Sequence, residues 1–205
     1  MGNLSTYLLL AIGLIFIVQL STGGFDGPFT RALDFDPLLA FSQPWRFVTC
    51  IFLHGGLLHL VFNAYALLMF GTVLESRVSS RDYLIIFFGA GIIGSLLYFL
   101  TYAFGIIPPI PALGASGAIY GILGAVAMVL PDLRIFFWFI PMRMREAAIL
   151  WFILELLGSF DTSSGVASAA HVGGLIFGLA YGWYLKNNAP PVYSVYETRP
   201  VPPEW

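Results

Sequence analysis

The chain has 205 residues, of which 59% are apolar and 10% are charged, and its mean hydropathy is +0.86. Soluble domains contain about 45–50% apolar and about 25% charged residues, so this composition excludes an ordinary soluble domain and predicts a membrane protein. The net charge of −2 and the pI of about 5.8 exclude a nucleic-acid-binding protein, and the single cysteine excludes a disulfide framework or a cysteine-cluster metal site.

Six apolar stretches are predicted to cross the bilayer, because a spanning helix needs about 20 mostly apolar residues. In chain order they are Leu4–Leu20, Leu57–Leu74, Tyr83–Phe104, Ser116–Leu130, Ala147–Ser159 and Ser168–Leu185. The fourth and fifth stretches are short, so neither needs to contact lipid along its whole length. The predicted fold is all-α, a polytopic bundle of six transmembrane helices over residues 1–186. Residues 187–205 are predicted to form a proline-rich, disordered cytoplasmic tail.

The nine lysine and arginine residues determine the predicted orientation in the membrane. If both termini are inside, seven of these residues face the cytoplasm and only Arg31 and Arg46 lie outside. The opposite orientation reverses this ratio. Both termini are therefore predicted to be cytoplasmic, with the protein in a cell membrane, either the plasma membrane or a bacterial inner membrane.

The connections between the predicted spans differ in character. Residues 21–56 mix charged and apolar side chains, which is typical of a segment lying in the membrane interface. Gly105–Leu113 contains three prolines and is predicted to be non-helical. Pro131–Arg145 is apolar but carries three arginines, and it is predicted to pack at the cytoplasmic surface.

Four polar residues lie at similar depths within the predicted spans. His59 and Asn63 are near the start of the second span, Ser116 is at the start of the fourth, and His171 is near the start of the sixth. Polar groups inside a membrane protein are costly and are therefore candidates for function. With the predicted topology, all four lie a few residues below the outer surface, which favours a single site built from three helices.

Ser116 lies in Gly114-Ala115-Ser116-Gly117, directly after the proline-rich connection, and is predicted to begin a helix. The free amides at a helix N-terminus stabilise negative charge. A nucleophilic serine at this position would therefore receive part of an oxyanion hole from its own backbone. Taken alone, the serine is more simply explained as a helix cap.

His171 provides a candidate base for this serine. Small residues spaced four apart, or three at one step, form a ridge on each of the fourth and sixth spans, and such ridges allow helices to approach closely. They are Gly117, Gly121 and Gly124 on the fourth span and Gly174, Gly178 and Gly182 on the sixth. Facing ridges would bring Ser116 within reach of the His171 imidazole, the usual activator of a serine. The simpler alternative is a hydrogen bond between two helices.

Three further side chains complete the predicted site. Tyr120, one turn after Ser116, is predicted to lie under the imidazole of His171 and fix its orientation. No acid is close to His171 in the sequence, which favours a catalytic dyad over a triad. His59 and Asn63 are one turn apart on one helix face, and their N–H groups suit an oxyanion. The alternative is that these two residues only cap or cross-link helices.

Several known hydrolase motifs are missing from the sequence. There is no H-E-x-x-H zinc-protease motif and no aspartate within a predicted span, and the G-x-S-G spacing is not the G-x-S-x-G of soluble hydrolases. No metal and no cofactor are predicted.

The motifs resemble those of the rhomboid intramembrane serine proteases, in that family's order and spacing, over about residues 40–185. The matching segments are Trp45-Arg46, the run from His54 through His59 to Asn63, Glu75-x-Arg77, Gly114 to Gly117 with Tyr120, and Ala170-His171 to Gly178.

The resemblance implies a rhomboid-like six-helix bundle with Ser116 as nucleophile and His171 as general base. It implies an oxyanion hole formed by His59, Asn63 and the Ser116 amide. Supporting positions would be Tyr120, Gly114, Gly117, Gly174 and Gly178. The implied partners are transmembrane protein substrates within the lipid bilayer, and the second and fifth helices would flank the path by which a substrate reaches the site.

Three functions compete on the sequence. The favoured one is an endopeptidase that cuts single-span membrane proteins near the outer face. A catalytically silent, client-binding relative would be expected to lack the serine or the histidine. A channel or transporter would be expected to place its polar site near the midplane, between paired halves. The role of Glu155 in the fifth span stays open between facing a water-accessible cavity and binding a neighbouring helix.

Overall fold

A computed structural model describes residues 3–137, 139–159 and 167–188. These residues are mostly helical. In chain order the helices are α1 (Leu4–Ser21), α2 (Pro28–Leu33), α3 (Arg46–Thr49), α4 (Leu57–Ala66), α5 (Thr72–Glu75), α6 (Ser80–Ala103), α7 (Ser116–Val129), α8 (Met144–Gly158) and α9 (Ser168–Asn188). Two short strands, β1 (Arg134–Phe137) and β2 (Ile140–Arg143), lie between α7 and α8.

Three of the described helices are long and apolar enough to cross a membrane. They are α1, α6 and the continuous helix Leu57–Glu75, which comprises α4, a π-helical turn at Leu67–Gly71 and α5. The 14-residue α7 is apolar but shorter, and it is followed by α8 and α9 at the positions of the fifth and sixth predicted stretches. The helical bounds agree with the predicted stretches to within about one turn. The composition and these helices identify a membrane protein.

The C-terminal end of helix Leu57–Glu75 holds the start of α1. The Glu75 carboxylate accepts hydrogen bonds from the backbone amides of Leu4 and Ser5 at 2.6 and 3.1 Å, and from the Ser5 hydroxyl at 2.9 Å. The Ser5 hydroxyl also lies 2.8 Å from the Tyr83 hydroxyl of α6. An acid at a helix N-terminus satisfies amides that have no partner within the helix and interacts favourably with the helix dipole.

Helix α7 is at the centre of the fold, packed between α6 and α9. Its buried side chains are small or branched, including Ala118, Ile122, Ala125 and Val126. Small residues allow backbones to approach closely. This explains how a short helix can be enclosed by its neighbours along most of its length.

The segment between α7 and α8 forms two short strands in a chain that is otherwise mostly helical. Strands β1 and β2 pair in an antiparallel hairpin in which Arg134 lies opposite Arg143. Its residues are rich in isoleucine and phenylalanine, which favour strands. Phe136 and Phe139 are exposed.

The connection between α1 and α4, which includes α2 and α3, is held together by a buried ion pair. Arg46 Nη1 lies 2.6 Å from Asp34 Oδ1 and also donates to the Asp34 carbonyl oxygen, while Arg46 Nη2 donates to the Arg31 carbonyl oxygen at 2.9 Å. Phe35 and Ala112 exchange two backbone hydrogen bonds, so the connection is tied to the proline-rich loop before α7. These contacts place the loop that positions the start of α7.

Helix α9 continues through Asn188, so the first two residues of the predicted tail are still helical. The remainder of that prediction, residues 189–205, lies outside the described residues.

Candidate active site

Ser116 is the first residue of α7 and does not cap it. The cap position is occupied by Ala115, whose side chain makes no capping hydrogen bond. The Ser116 hydroxyl instead lies 2.7 Å from His171 Nε2, within hydrogen-bonding distance. The amides of the first turn of α7 have no partners within the helix. The simpler interpretation of Ser116 as a cap is therefore wrong, and the residue lies where a nucleophile beside free amides is expected.

The glycine ridges bring the serine and the histidine together. We call Gly117, Gly121 and Gly124 of α7, with Gly174, Gly178 and Gly182 of α9, the glycine seam. A Cβ at Gly178 would collide with the backbone carbonyl of Gly121, and one at Gly174 would collide with that of Gly117. At this separation, residues at the N-terminal ends of the two helices can touch, and Ser116 and His171 do.

Tyr120 lies under the imidazole. The two rings are nearly parallel, with an interplanar angle of 10° and centroids 4.5 Å apart. A stacked ring restricts rotation of the imidazole about its Cβ–Cγ bond, so Tyr120 limits the directions in which Nε2 can point.

An acid lies beside His171, contrary to the expectation from the sequence. Glu155 Oε2 of α8 is 2.9 Å from His171 Nδ1, and Glu155 Oε1 accepts a hydrogen bond from the Tyr120 hydroxyl. This separation is within hydrogen-bonding range, but Nδ1 has no hydrogen bond of regular geometry in the described part of the chain. Glu155, whose role the sequence left open, therefore faces the site and lies beside the histidine although the two residues are 16 positions apart in the sequence.

His59 lies against the strained start of the α7 segment. Gly114 has φ +131°, a conformation that L side chains rarely adopt, and a Cβ there would meet the His59 ring at 2.7–2.8 Å. Gly114 is therefore required both by its backbone and by the close approach of the imidazole. His59 Nδ1 accepts from the Gly55 amide at 3.3 Å, which leaves Nε2 directed toward the loop before Ser116.

His54 packs behind His59, with ring centroids 5.1 Å apart. The side chain is fully buried, and neither ring nitrogen has a hydrogen-bond partner among the residues that the structure describes. Burial, together with the neighbouring His59, lowers the pKa of the His54 imidazole to about 4. His54 is therefore neutral at physiological pH and acts as a wall for His59.

Asn63 is buried and lines the same cavity as Ser116. Its Nδ2 donates to the His59 carbonyl oxygen at 2.9 Å. An amide nitrogen carries two hydrogens, so one donor is committed to the helix and the second can point into the cavity.

A cavity of about 780 Å³ joins these residues. It is lined by His59, Asn63, Ser116, Tyr120 and His171, and apolar side chains of α4, α7 and the proline-rich loop before α7 form much of its remaining wall. This size is within the range of ligand-binding clefts. Among the described residues, no group of three or more His, Cys, Asp or Glu side chains is arranged to hold a metal ion.

Sequence reasoning missed two contributions to the site and its surroundings. Glu155 gave a signal, since an acid within an apolar helix is costly, but its partner was not apparent from spacing. Arg46 was noted only as part of a motif. The structure places it in a buried ion pair with Asp34, within the connection between α1 and α4.

The family of the chain follows from comparison with known proteins. The rhomboid domain family matches residues 42–188, which include every residue of the candidate site. The chain belongs to the rhomboid family.

Individual relatives include proteins named as proteases. The chain is 34% identical over 177 residues to the Rhomboid protease GluP of Bacillus subtilis (strain 168), covering 84% of this chain and 33% of that protein. It is 36% identical over 149 residues to the Putative rhomboid protease YdcA of the same organism, covering 72% of this chain and 68% of that protein. It is 29% identical over 154 residues to RHOMBOID-like protein 6, mitochondrial, of Arabidopsis thaliana, covering 75% and 48%. The chain thus spans a third of GluP and about half of the Arabidopsis protein.

Proposed function

We propose that this protein is an intramembrane serine endopeptidase that cleaves single-span transmembrane proteins near the outer face of the membrane. The observation that carries the proposal is the 2.7 Å separation of Ser116 Oγ and His171 Nε2 at the wall of a cavity. Membership of a family that includes named proteases supports a hydrolase.

Acylation begins with His171 Nε2 accepting the Ser116 hydroxyl proton. The Ser116 oxygen then forms a bond to the carbonyl carbon of the substrate, and the carbonyl oxygen becomes an oxyanion. Collapse of this intermediate breaks the C–N bond, and the imidazolium returns its proton to the leaving amine. The second half of the reaction uses water in the place of the amine and regenerates the free serine.

The oxyanion has three candidate donors. The Ser116 amide belongs to the first turn of α7, the second hydrogen of Asn63 Nδ2 is not committed to the helix, and His59 Nε2 lies beside Gly114. Donors fixed in advance stabilise developing charge most effectively where water is scarce. The assignment of these three groups as oxyanion donors is part of the proposal.

The position of the site in the membrane is also proposed. A six-span arrangement with both termini cytoplasmic puts seven of the nine basic residues inside and Ser116 near the outer face. A C-terminal reporter active only in the cytoplasm should be active on the full chain. Activity of a C-terminal reporter that functions only outside the cytoplasm would contradict this orientation.

The proposed chemistry is tested by labelling with a fluorescent fluorophosphonate, which reacts with activated serines. The purified full chain in detergent should label, and Ser116→Ala should not. Ser5→Ala is a matched control, because Ser5 is a buried serine at the far end of the fold. Failure of the wild-type chain to label, or equal labelling of Ser116→Ala, would contradict the proposal and favour the client-binding alternative.

A further inference from the structure

Glu155 occupies an unusual position for an acid in an apolar helix. Its side chain is 15% exposed, it lies on α8, and both carboxylate oxygens are directed at the site residues Tyr120 and His171. The other acid of α8, Glu146, is half exposed and accepts from the Arg143 amide at the helix start. Only Glu155 therefore lies where α7, α8 and α9 meet.

We propose that Glu155 is a positioning residue that holds the His171 imidazole through Nδ1, so that Ser116, His171 and Glu155 act as a triad carried on three helices. This inference rests on the proposed protease function. It adds the acid that selects the tautomer of the base.

The chemical reason concerns which ring nitrogen carries the proton. His171 can accept the Ser116 proton only if Nε2 is bare, and so Nδ1 must carry the hydrogen. A carboxylate 2.9 Å from Nδ1 favours that tautomer and stabilises the imidazolium that forms when the serine proton arrives. The proton stays on Nδ1 throughout, and no proton passes to Glu155.

The present geometry requires only a small adjustment. The carboxylate oxygen is close enough to Nδ1 but off the N–H direction, and the terminal torsion of a glutamate is broad. Catalytic hydrogen bonds often tighten only when substrate is bound. The Tyr120 hydroxyl holds Oε1 of Glu155. A small rotation about the terminal torsion can then bring Oε2 into line with Nδ1 of His171.

The position of Glu155 on α8 makes its contact with His171 depend on where this helix lies. Most of α8 is poorly buried, and its buried residues, Met144, Ala147 and Ala148, are all in its first half. The second half contacts its neighbours through Glu155 and through Gly158, which lies close to Ser168 of α9. A displacement of this half of α8 would therefore withdraw the carboxylate from His171.

The test compares three substitutions at one position. Glu155→Gln keeps the shape and can still accept from Tyr120, but it then points an NH₂ group at Nδ1 and stabilises the wrong tautomer. Glu155→Ala removes the acid without imposing a tautomer. Glu155→Asp keeps the charge on a shorter stem. Glu146→Gln is the matched control, because glutamine can retain the cap of α8.

The readouts are the second-order rate of fluorophosphonate labelling at Ser116 and the kcat for cleavage of a single-span test protein. We expect Glu155→Ala to lose about 10–100-fold and Glu155→Gln to lose on the order of 10³–10⁴-fold. Glu155→Asp should recover part of the loss, and Glu146→Gln should resemble wild type. Nitrogen-15 NMR of His171, assigned by its absence in His171→Ala, should report Nδ1–H in wild type and Nε2–H in Glu155→Gln.

A purely structural role predicts the reverse order. The isosteric Glu155→Gln would then retain more activity than Glu155→Ala, and the tautomer would not change. That order, or wild-type rates in both variants, would overturn the triad. If Ser116→Ala and His171→Ala were still inactive, the protease proposal would stand without it. If wild type itself did not label, the proposed function would fail first.

Discussion

The two sides of the cavity are built in opposite ways. On one side, α7 and α9 meet through the glycine seam, where a methyl group at Gly174 or Gly178 would strike a backbone carbonyl. On the other side, α4 and α8 leave large side chains exposed, including Phe62, Tyr65, Ile153 and Leu157. The rigid side carries Ser116 and His171, and the open side carries Asn63 and Glu155. The difference places the proposed reacting pair on tightly packed helices, whereas the residues proposed to stabilise and orient it lie on helices that are less enclosed.

The largest expected effect comes from removing the base that the rigid side provides. His171→Ala should lower kcat by a factor on the order of 10⁶, as in serine proteases that lose a member of the reacting pair. The protein should remain folded, because the glycine seam is intact. Cleavage and thermal melting are measured together. Activity near that of wild type would exclude His171 as the base.

Substitution on the open side should cost less. Asn63→Ala removes one candidate oxyanion donor and is expected to lower kcat by about 10²–10³ while KM changes little. Steady-state kinetics with a single-span substrate separate the two constants. Leu58→Ala, at an exposed position of the same helix that does not line the cavity, is the control for general damage. A loss confined to KM would assign Asn63 to substrate binding instead.

The glycine seam is tested by the smallest possible addition. Gly178→Ala places a methyl group against the Gly121 carbonyl, which should destabilise the fold by about 1–3 kcal/mol. A shift of about 1 Å between α7 and α9 should also lower activity by about 10². Gly13→Ala is the matched control, because nothing lies within 4 Å of the added atom in α1. Equal melting temperatures for the two variants would show that the seam tolerates separation.

The smallest effect is expected at the exposed face of α8. Leu157 is 65% exposed, so Leu157→Ala should change stability by no more than about 0.5 kcal/mol. Cleavage should stay within about twofold of wild type. A large loss of stability in a melting experiment would mean that the second half of α8 is packed as tightly as the glycine seam. The two sides of the cavity would then not differ in packing.

Much of the site was predictable because its signals are local. Ser116 follows a proline-rich loop, the glycines recur on one helix face, and Tyr120 lies one turn from Ser116. Glu155 was not assigned a partner, because its contact with His171 depends on how two helices cross. The β1–β2 hairpin was also missed. An apolar stretch containing arginines has no clear helical or strand period, and pairing in the structure decides its conformation.

The ion pair between Arg46 and Asp34 affects how the connection between α1 and α4 can detach from the helices beneath it. The two side chains are 4% and 9% exposed, and separating them while either stays buried costs about 3–5 kcal/mol. Half-open states are therefore rare, and the segment should detach as one cooperative unit. Cys50, the only cysteine, lies in this segment with its buried thiol 3.6 Å from the Ser95 hydroxyl of α6, and burial raises the pKa of the thiol to about 12. The rate at which Cys50 reacts with a maleimide therefore reports how often the segment detaches. We expect the reaction to be slow in the native protein and faster in Arg46→Met.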